Sequence, residues 1–276
     1  MGKFLQQPYM ANPSLTRVPT MAEMAASGEQ PEILFWVGCA GSFDQRAQKV
    51  TGALVRILNQ VGIKFAVLGR EELCTGDPAR RAGNEFLFQM MAAQNIATLE
   101  GYGVKKIVTA CPHCFNTLKN EYPELGGNYS VLHHTSLIQE LLDGGRLSVE
   151  GGAFQGKRIT FHDSCYLGRT NGIYEAPRAA LAALDAELVE MRSCKSRGMC
   201  CGAGGAQMFK EAEPGKEEVN NARTAEALAV KPDYVAVACP FCNTMMSDGV
   251  KYADRQDDVH VRDIAELVAE AAGLFR

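Results

Sequence analysis

The chain carries one cysteine pattern twice. In the second half, Cys165 is followed by the adjacent pair Cys200-Cys201 with Gly202, then by Cys239-Pro240-Phe241-Cys242. In the first half, Cys39 is followed by Cys74-Thr75-Gly76, then by Cys111-Pro112-His113-Cys114. Cys200 lies 126 residues after Cys74, and Cys239 lies 128 after Cys111. A repeat of this kind constrains an architecture more than any single motif does, because each copy must fold into the same unit.

The apolar pattern between the cysteines repeats as well. Residues 33–37 form a short, wholly apolar run, as expected of a parallel strand buried on both faces. A helical spacing follows through Val50, Leu54, Ile57 and Leu58, then a strand at 64–68, with Cys74 in the loop after it. Residues 84–99 carry apolar side chains at helical spacing, and a strand at 106–110 runs into Cys111. A short strand at 129–132 and a helix at 136–142 close the unit. In the second half, 158–162 precedes Cys165, 234–238 runs into Cys239, and Val259-His260 precedes a helix at 264–268. Strands alternating with helices predict parallel, right-handed β-α-β units. The expected fold is therefore α/β, with two pseudo-equivalent small domains. Each is a roughly four-stranded, mainly parallel sheet with flanking helices, and the metal sites lie at the C-terminal ends of the strands, where such sheets collect ligands. The expected boundaries are 32–143 and 156–276, with a glycine-bearing linker at 144–155. Residues 1–31, broken by Pro8, Pro13, Pro19 and Pro31, allow one short helix, Met21–Ala26, and read as a disordered tail or a docking arm.

Composition narrows the chemistry. Hydrophobic content of 46% with 22% charged residues is that of a soluble globular protein. A net charge of −4 argues against a nucleic-acid partner, which would leave a basic footprint. No run approaches the roughly 18–20 apolar residues of a membrane span. The first 30 residues lack the layout of a secretory signal. A cytoplasmic location is expected, where thiols stay reduced and cysteine groups read as metal or redox ligands rather than disulfides.

Cys165, Cys200, Cys201, Cys239 and Cys242 supply five thiolates. A closed zinc site takes four ligands, whereas iron–sulfur clusters use cysteine in greater variety. A cluster is the leading reading, and zinc with a spare thiol is the alternative. Adjacent cysteines suit a multi-atom cluster, which can accept the two sulfurs at separate irons, and the glycines beside them allow positive φ and a close backbone approach. Cys194 reads as a packed or loop thiol. Cys39, Cys74, Cys111 and Cys114 suffice for a second cluster or for tetrahedral zinc; Thr75 stands where the other copy has a sulfur. A thioredoxin-type dithiol at Cys111 and Cys114 would not need the upstream cysteines. His113, His162 and Asp163 lie beside ligands, as hydrogen-bond donors, proton-transfer groups or structural residues. Arg169, Arg192, Lys195 and Arg197 read as solvated charge, and 211–218 as an exposed helix start. Gly202–Gly205 lacks the Gly-Lys-Ser/Thr of a phosphate loop, so close approach to a cluster explains it better. No residue is assignable as catalytic.

The pattern Cys165…Cys200-Cys201-Gly202…Cys239-Pro240-Phe241-Cys242, with its degenerate copy ahead of it, resembles the duplicated cysteine-rich "CCG" domain family of Fe–S oxidoreductases. That family includes the cysteine-rich subunit of heterodisulfide reductase and the iron–sulfur subunits of glycolate, lactate and glycerol-3-phosphate oxidation systems. The resemblance covers about residues 32–271 and implies a noncubane [4Fe-4S] cluster on Cys165, Cys200, Cys201, Cys239 and Cys242. The wording Glu71-Glu72-Leu73-Cys74-Thr75-Gly76-Asp77-Pro78-Ala79-Arg80-Arg81 is similar to the cysteine-rich part of electron-transfer-flavoprotein-linked quinone oxidoreductases. Those proteins are often fused to a membrane region, so this chain is expected to be a detached subunit. The implied function is electron transfer between a flavoprotein or dehydrogenase and a quinone or disulfide acceptor. Its partners would be a flavoprotein, a ferredoxin-type Fe–S subunit or a membrane quinone-reactive subunit that could hold it at the inner face of the membrane. A catalytic disulfide reductase and a metal-stapled structural protein are the alternatives.

Overall fold

The computed structural model describes residues 16–211 and 214–275. Two four-stranded sheets, parallel throughout, follow one another along the chain. The first contains β1 (Ile33–Trp36), β2 (Phe65–Ala66), β3 (Lys106–Thr109) and β4 (Ser130–His133) in the order β2-β1-β3-β4. The second contains β5 (Arg158–Phe161), β6 (Glu187–Leu188), β7 (Tyr234–Val237) and β8 (His260–Asp263) in the order β6-β5-β7-β8. The repeat of order matches the repeat of sequence. All four residues of β1 are buried, as a strand covered on both faces requires.

Helices α1 (Met21–Ala26), α2 (Gly38–Phe43), α3 (Gln45–Gln60), α4 (Asp77–Arg81), α5 (Glu85–Gly101), α6 (Pro112–Asn116) and α7 (His134–Asp143) belong to the first half. The second half has α8 (Glu175–Ala182), α9 (Val219–Ala229), α10 (Pro240–Tyr252) and α11 (Ile264–Ala271). Local chemistry sets their starts. The Asp44 side chain accepts from Ala47 N at 2.7 Å to begin α3, and Asn84 accepts from Leu87 N at 3.1 Å to begin α5. Asp263 and Glu266 form a reciprocal capping box on α11.

The halves share one buried apolar core. α3 packs on α11 and α7 on α8, and side-chain hydrogen bonds cross the seam. The Arg46 guanidinium forks onto Glu266 at 2.8 and 2.5 Å and donates to Val261 O at 3.0 Å. His134 Nε2 meets Asp263 Oδ1 at 2.9 Å. Buried charge must be paired, so these links fix how the two sheets face each other.

Residues 16–31 differ from the expectation of a disordered tail. Val67 N donates to Pro19 O at 3.0 Å and Met21 N to Val67 O at 2.9 Å, which extends the edge of the first sheet beyond β2. α1 lies where the sequence places its one short helix, opened by a Thr20–Glu23 capping box, and buries Met21 and Met24. The segment docks on its own chain because edge backbone groups and two methionines find partners there. The rest of the expected arm, residues 1–15, lies outside the described residues.

Candidate metal centres

Parallel strands put every cysteine loop on one rim of its sheet. Cys165 follows β5, Cys200 and Cys201 follow β6, and Cys239 and Cys242 follow β7. Cys239 is the N-cap of α10, Pro240 takes the first helical position, and Cys242 sits in the first turn. Helix N-termini favour thiolate over thiol. Gly202 has φ +91, which returns the backbone so that its N–H reaches Cys200 Sγ at 3.3 Å.

The five sulfurs form one connected group. Cys165, Cys200 and Cys201 lie close enough to shift one another's thiols, as do Cys239 and Cys242. Cys201 Sγ and Cys242 Sγ lie 3.3 Å apart, and Cys242 Sγ is 3.7 Å from Ser164 Oγ. Such crowding splits the thiols. Hydrogen bonds from Cys165 and Cys201 push Cys200 well below its usual range, while its neighbour Cys165 is pushed up. Burial opposes the thiolate of Cys239, yet Cys242 and His113 donate to it and hold it low. His162 brings a ring nitrogen within 4.8 Å of the Cys201 and Cys242 sulfurs. Arg223 Nε donates to His162 Nδ1 at 3.0 Å, so the neutral ring carries its proton on Nε2, a buried atom with no partner in the protein. Burial and then Arg223 push His162 down to about 3. Five soft donors, with a buried imidazole beside two of them whose Nε2–H has no partner in the protein, fit a multi-iron cluster, whose sulfurs can accept such a proton. They exceed what one zinc ion would use.

The first site is built alike. Cys39 follows β1, Cys74 follows β2, Cys111 caps α6 and Cys114 sits in its first turn. Cys39 and Cys74 lie close enough to shift each other's thiols, as do Cys111 and Cys114, and all four line one pocket. Gly76 N reaches Cys74 Sγ at 3.5 Å with φ +90, repeating the Gly202 turn. Thr75 Oγ1 lies 3.9 Å from Cys114 Sγ, so a hydroxyl stands where Cys201 meets Cys242 in the other half. Asn95 Nδ2 holds Cys74 O at 3.0 Å and Tyr122 Oη holds Thr75 O at 3.1 Å. Four thiols fit a cluster or tetrahedral zinc.

The sequence reading expects positive φ beside the adjacent cysteines, and Gly202 and Gly205 adopt it, at +91 and +68. A Cβ at Gly202 would also come within 3.2 Å of Val219, and one at Gly76 within 2.8 Å of Phe88. These glycines are required by positive φ and by helix packing. A Cβ at Gly38 would lie 3.3 Å from Cys114 Sγ.

Among the side chains that the sequence set beside the ligands, Asp163 is a loop anchor. It takes both arms of Arg178 at 2.8 and 2.9 Å and the Lys195 N–H at 2.6 Å. Cys194 stays apart from the sulfur group. Arg169, Arg192, Lys195 and Arg197 are exposed; Arg169 donates to Gly198 O and Lys195 pairs with Glu175. Helix α9 starts only at Val219, so the described residues 214–218 of the expected helix start precede the helix rather than opening it. Four participants escaped the sequence reading. Glu72 accepts from Val37 N and Gly38 N at 3.1 and 2.6 Å, and burial pushes it up to about 7. Asp77 holds His113, while Arg178 and Arg223 are buried bases. Burial opposes charge on His113, but Asp77 and the Cys239 sulfur prevail and hold it well above its ordinary value. A buried Arg or Asp gives no periodic signal, and only an expectation of matched acid and base near the motifs could have found them.

Comparison with known proteins agrees with this arrangement. The cysteine-rich domain model, CCG, matches residues 33–119 and again 159–247. The chain is 47% identical over 255 residues to "Probable iron-sulfur-binding oxidoreductase FadF" of Bacillus subtilis, covering 92% of this chain and 36% of that protein. It is 44% identical to "EtfAB:quinone oxidoreductase" of Syntrophomonas wolfei, with 88% and 35% covered. It is 36% identical to a dihydromethanophenazine:CoB--CoM heterodisulfide reductase subunit of Methanosarcina barkeri, with 89% and 60% covered. The chain thus spans about a third of the first two proteins' length. A hypothetical protein from Helicobacter pylori shares the fold at a TM-score of 0.56 and 9% identity, covering 88% of this chain and 50% of that one. No helix among the described residues is long and apolar enough to cross a membrane. The doubled motif, the doubled sheet and the matched segments together make this chain a member of the CCG cysteine-rich domain family.

Proposed function

We propose that the chain is an iron–sulfur electron-transfer subunit of an oxidoreductase. A noncubane [4Fe-4S] cluster would sit on Cys165, Cys200, Cys201, Cys239 and Cys242, and a second cluster or a zinc ion on Cys39, Cys74, Cys111 and Cys114. The second-domain cluster is the principal redox centre, and the first site relays electrons or holds the fold. The connected group of five sulfurs carries this reading, because it offers one donor more than a closed zinc site takes. The names of the relatives support iron–sulfur binding and a place among flavoprotein, quinone and disulfide systems. The electron donor would be a flavoprotein or dehydrogenase and the acceptor a quinone or disulfide. Partner subunits would carry any attachment to the membrane. Bound there, a cluster supplies one-electron chemistry. The protein's share is to hold the thiolates at helix N-termini and in the loops after the strands, and to aim N–H groups at their sulfurs.

Anaerobic purification followed by iron, zinc and acid-labile sulfide analysis, with electron paramagnetic resonance, tests the reading. Stoichiometric iron and sulfide are expected. Two zinc ions per chain without sulfide would overturn it.

A further inference from the structure

His162 stands at metal-ligand spacing from Cys201 and Cys242: a ring nitrogen and the two sulfurs lie within 4.8 Å of one another, and all three residues are buried. Spacing alone would make it a further ligand of the second site. Its other contact decides otherwise. Arg223, on α9, donates from Nε to His162 Nδ1 at 3.0 Å. A guanidinium can only donate, so the Nδ1 lone pair is spent and the ring hydrogen sits on Nε2. Neither nitrogen then offers a lone pair to a metal; the ring offers an N–H. That N–H is buried and has no acceptor among the described residues.

Arg223 is itself held from behind. It is fully buried, and its Nη1 donates to Glu226 Oε2 at 2.7 Å and to Ser193 O at 2.9 Å. Glu226 in turn accepts from Ser193 N at 2.5 Å, which ties α9 to the loop that leads into Cys200 and Cys201. The first half has Trp36 at the matched position, three residues ahead of Cys39 as His162 is ahead of Cys165. An indole nitrogen is a donor only, and Trp36 Nε1 is likewise buried without a partner among the described residues. Both copies thus place at the strand end a ring N–H that the described residues do not satisfy, a costly arrangement unless a bound acceptor completes it.

We propose that His162 serves the second-domain centre as a hydrogen-bond donor rather than as a ligand, and that Arg223 is the positioning residue that fixes it in this role. The inference rests on the reading that this centre is a redox cluster. A donor to the sulfur of such a centre draws charge from it and stabilises the reduced form, so it raises the potential. Arg223 therefore acts on the potential at one remove, by setting which ring nitrogen carries the hydrogen.

The test is pulsed electron paramagnetic resonance and redox titration of the anaerobically purified chain carrying isotope-labelled histidine. The second-domain signal is taken as the one that Cys201→Ser alters. In wild-type protein that signal should show a weakly coupled histidine nitrogen and a hydrogen that exchanges in heavy water. His162→Phe should keep iron and sulfide, lose this coupling and move the signal to lower potential. His162→Gln, whose amide oxygen can take the Arg223 hydrogen bond while its N–H replaces that of the ring, should hold the potential closer to wild type. Arg223→Met frees the ring to carry its hydrogen on either nitrogen, so it should weaken the coupling and lower the potential by less. The strong coupling of a directly bound nitrogen in wild type would make the ring a ligand and overturn the proposal. An unchanged potential in His162→Phe with iron and sulfide intact overturns it as well. If His162→Phe does not fold, unchanged coupling and potential in Arg223→Met overturn it equally. Wild-type protein without iron and sulfide would instead overturn the cluster reading on which the proposal stands.

Discussion

The two cysteine-bearing rims are built by the same turns and finished by different chemistry. Both place one cysteine after the first strand of the sheet, one after the second and a pair around a helix start, and both use a glycine with φ near +90. They differ at matched positions: Thr75 against Cys201, His113 against Phe241, and Trp36 against His162. The loops are also anchored differently. Glu72 holds the turn after β1 through two backbone N–H groups, whereas Asp163 holds the turn after β5 through Arg178, which also pairs with Glu190 at 2.6 and 2.9 Å. Duplication preserves what the backbone must do, while side chains that only serve the ligand are free to diverge.

The largest effect should come from equalising the ligand count. Cys201→Ser should change the spectrum of the second site and lower the iron content, while the first-site signal stays. Cys194→Ser, outside the sulfur group, should leave both unchanged. If the two variants lose iron equally, the five-ligand assignment is wrong.

Next is the anchor that only the second half has. Arg178 lies buried between Asp163 and Glu190. Arg178→Met should destabilise by about 3–5 kcal/mol, because it leaves Asp163 buried without its counter-charge. Urea unfolding measures this, and a loss below about 1 kcal/mol would mean that the anchor is not essential to the loop.

His162 against Trp36 gives a pH test. The folded protein holds His162 at about 3, below the ordinary 6.5, because burial and Arg223 disfavour its charge. A depressed histidine contributes stability in full above pH 6.5 and loses it as pH falls toward 3. The wild type should therefore lose up to about 1.4 kcal/mol per pH unit below pH 6.5 relative to His162→Gln. Unfolding midpoints of both proteins at pH 7.5 and 5 check it; parallel changes would place His162 in a more polar setting than its burial implies.

The fold was legible because the features that set it are local. Apolar runs, helix caps and the doubled Cys-Pro-x-Cys make strands, helices and turns within a few residues, and the strand order repeats as the sequence does. The candidate ligands were legible for the same reason, since cysteine has few other roles in such a pattern. What escaped depends on the packing of one half against the other. Nothing local in Cys111-Pro112-His113-Cys114 says that His113 packs on Tyr166 and Phe241 of the other half, and Arg46 and Glu266 are 220 residues apart. The docking of residues 16–31 likewise depends on a sheet edge formed by Val67, far along the chain.

The smallest difference is the single hydroxyl. Thr75 Oγ1 is directed at Cys114 Sγ at 3.9 Å, a weak contact to a soft acceptor. Thr75→Val keeps the shape and removes the donor, so it should cost about 1 kcal/mol or less. Its sharper consequence is electronic: without the hydroxyl, a first-site cluster should become slightly harder to reduce, and a first-site zinc should show no redox response at all. Thr75→Cys carries the comparison the other way by restoring the missing sulfur. The spacing to the helix cysteine is nearly the same in the two copies, 39 residues from Thr75 to Cys114 and 41 from Cys201 to Cys242, so the new thiol should reach its place. If a fifth thiolate is all that distinguishes the two centres, Thr75→Cys should give the first site the spectrum of the second. If the spectrum stays distinct with iron bound, the other matched differences, His113 against Phe241 and Trp36 against His162, account for the remainder, and the asymmetry lies in the surroundings as well as in the ligand count.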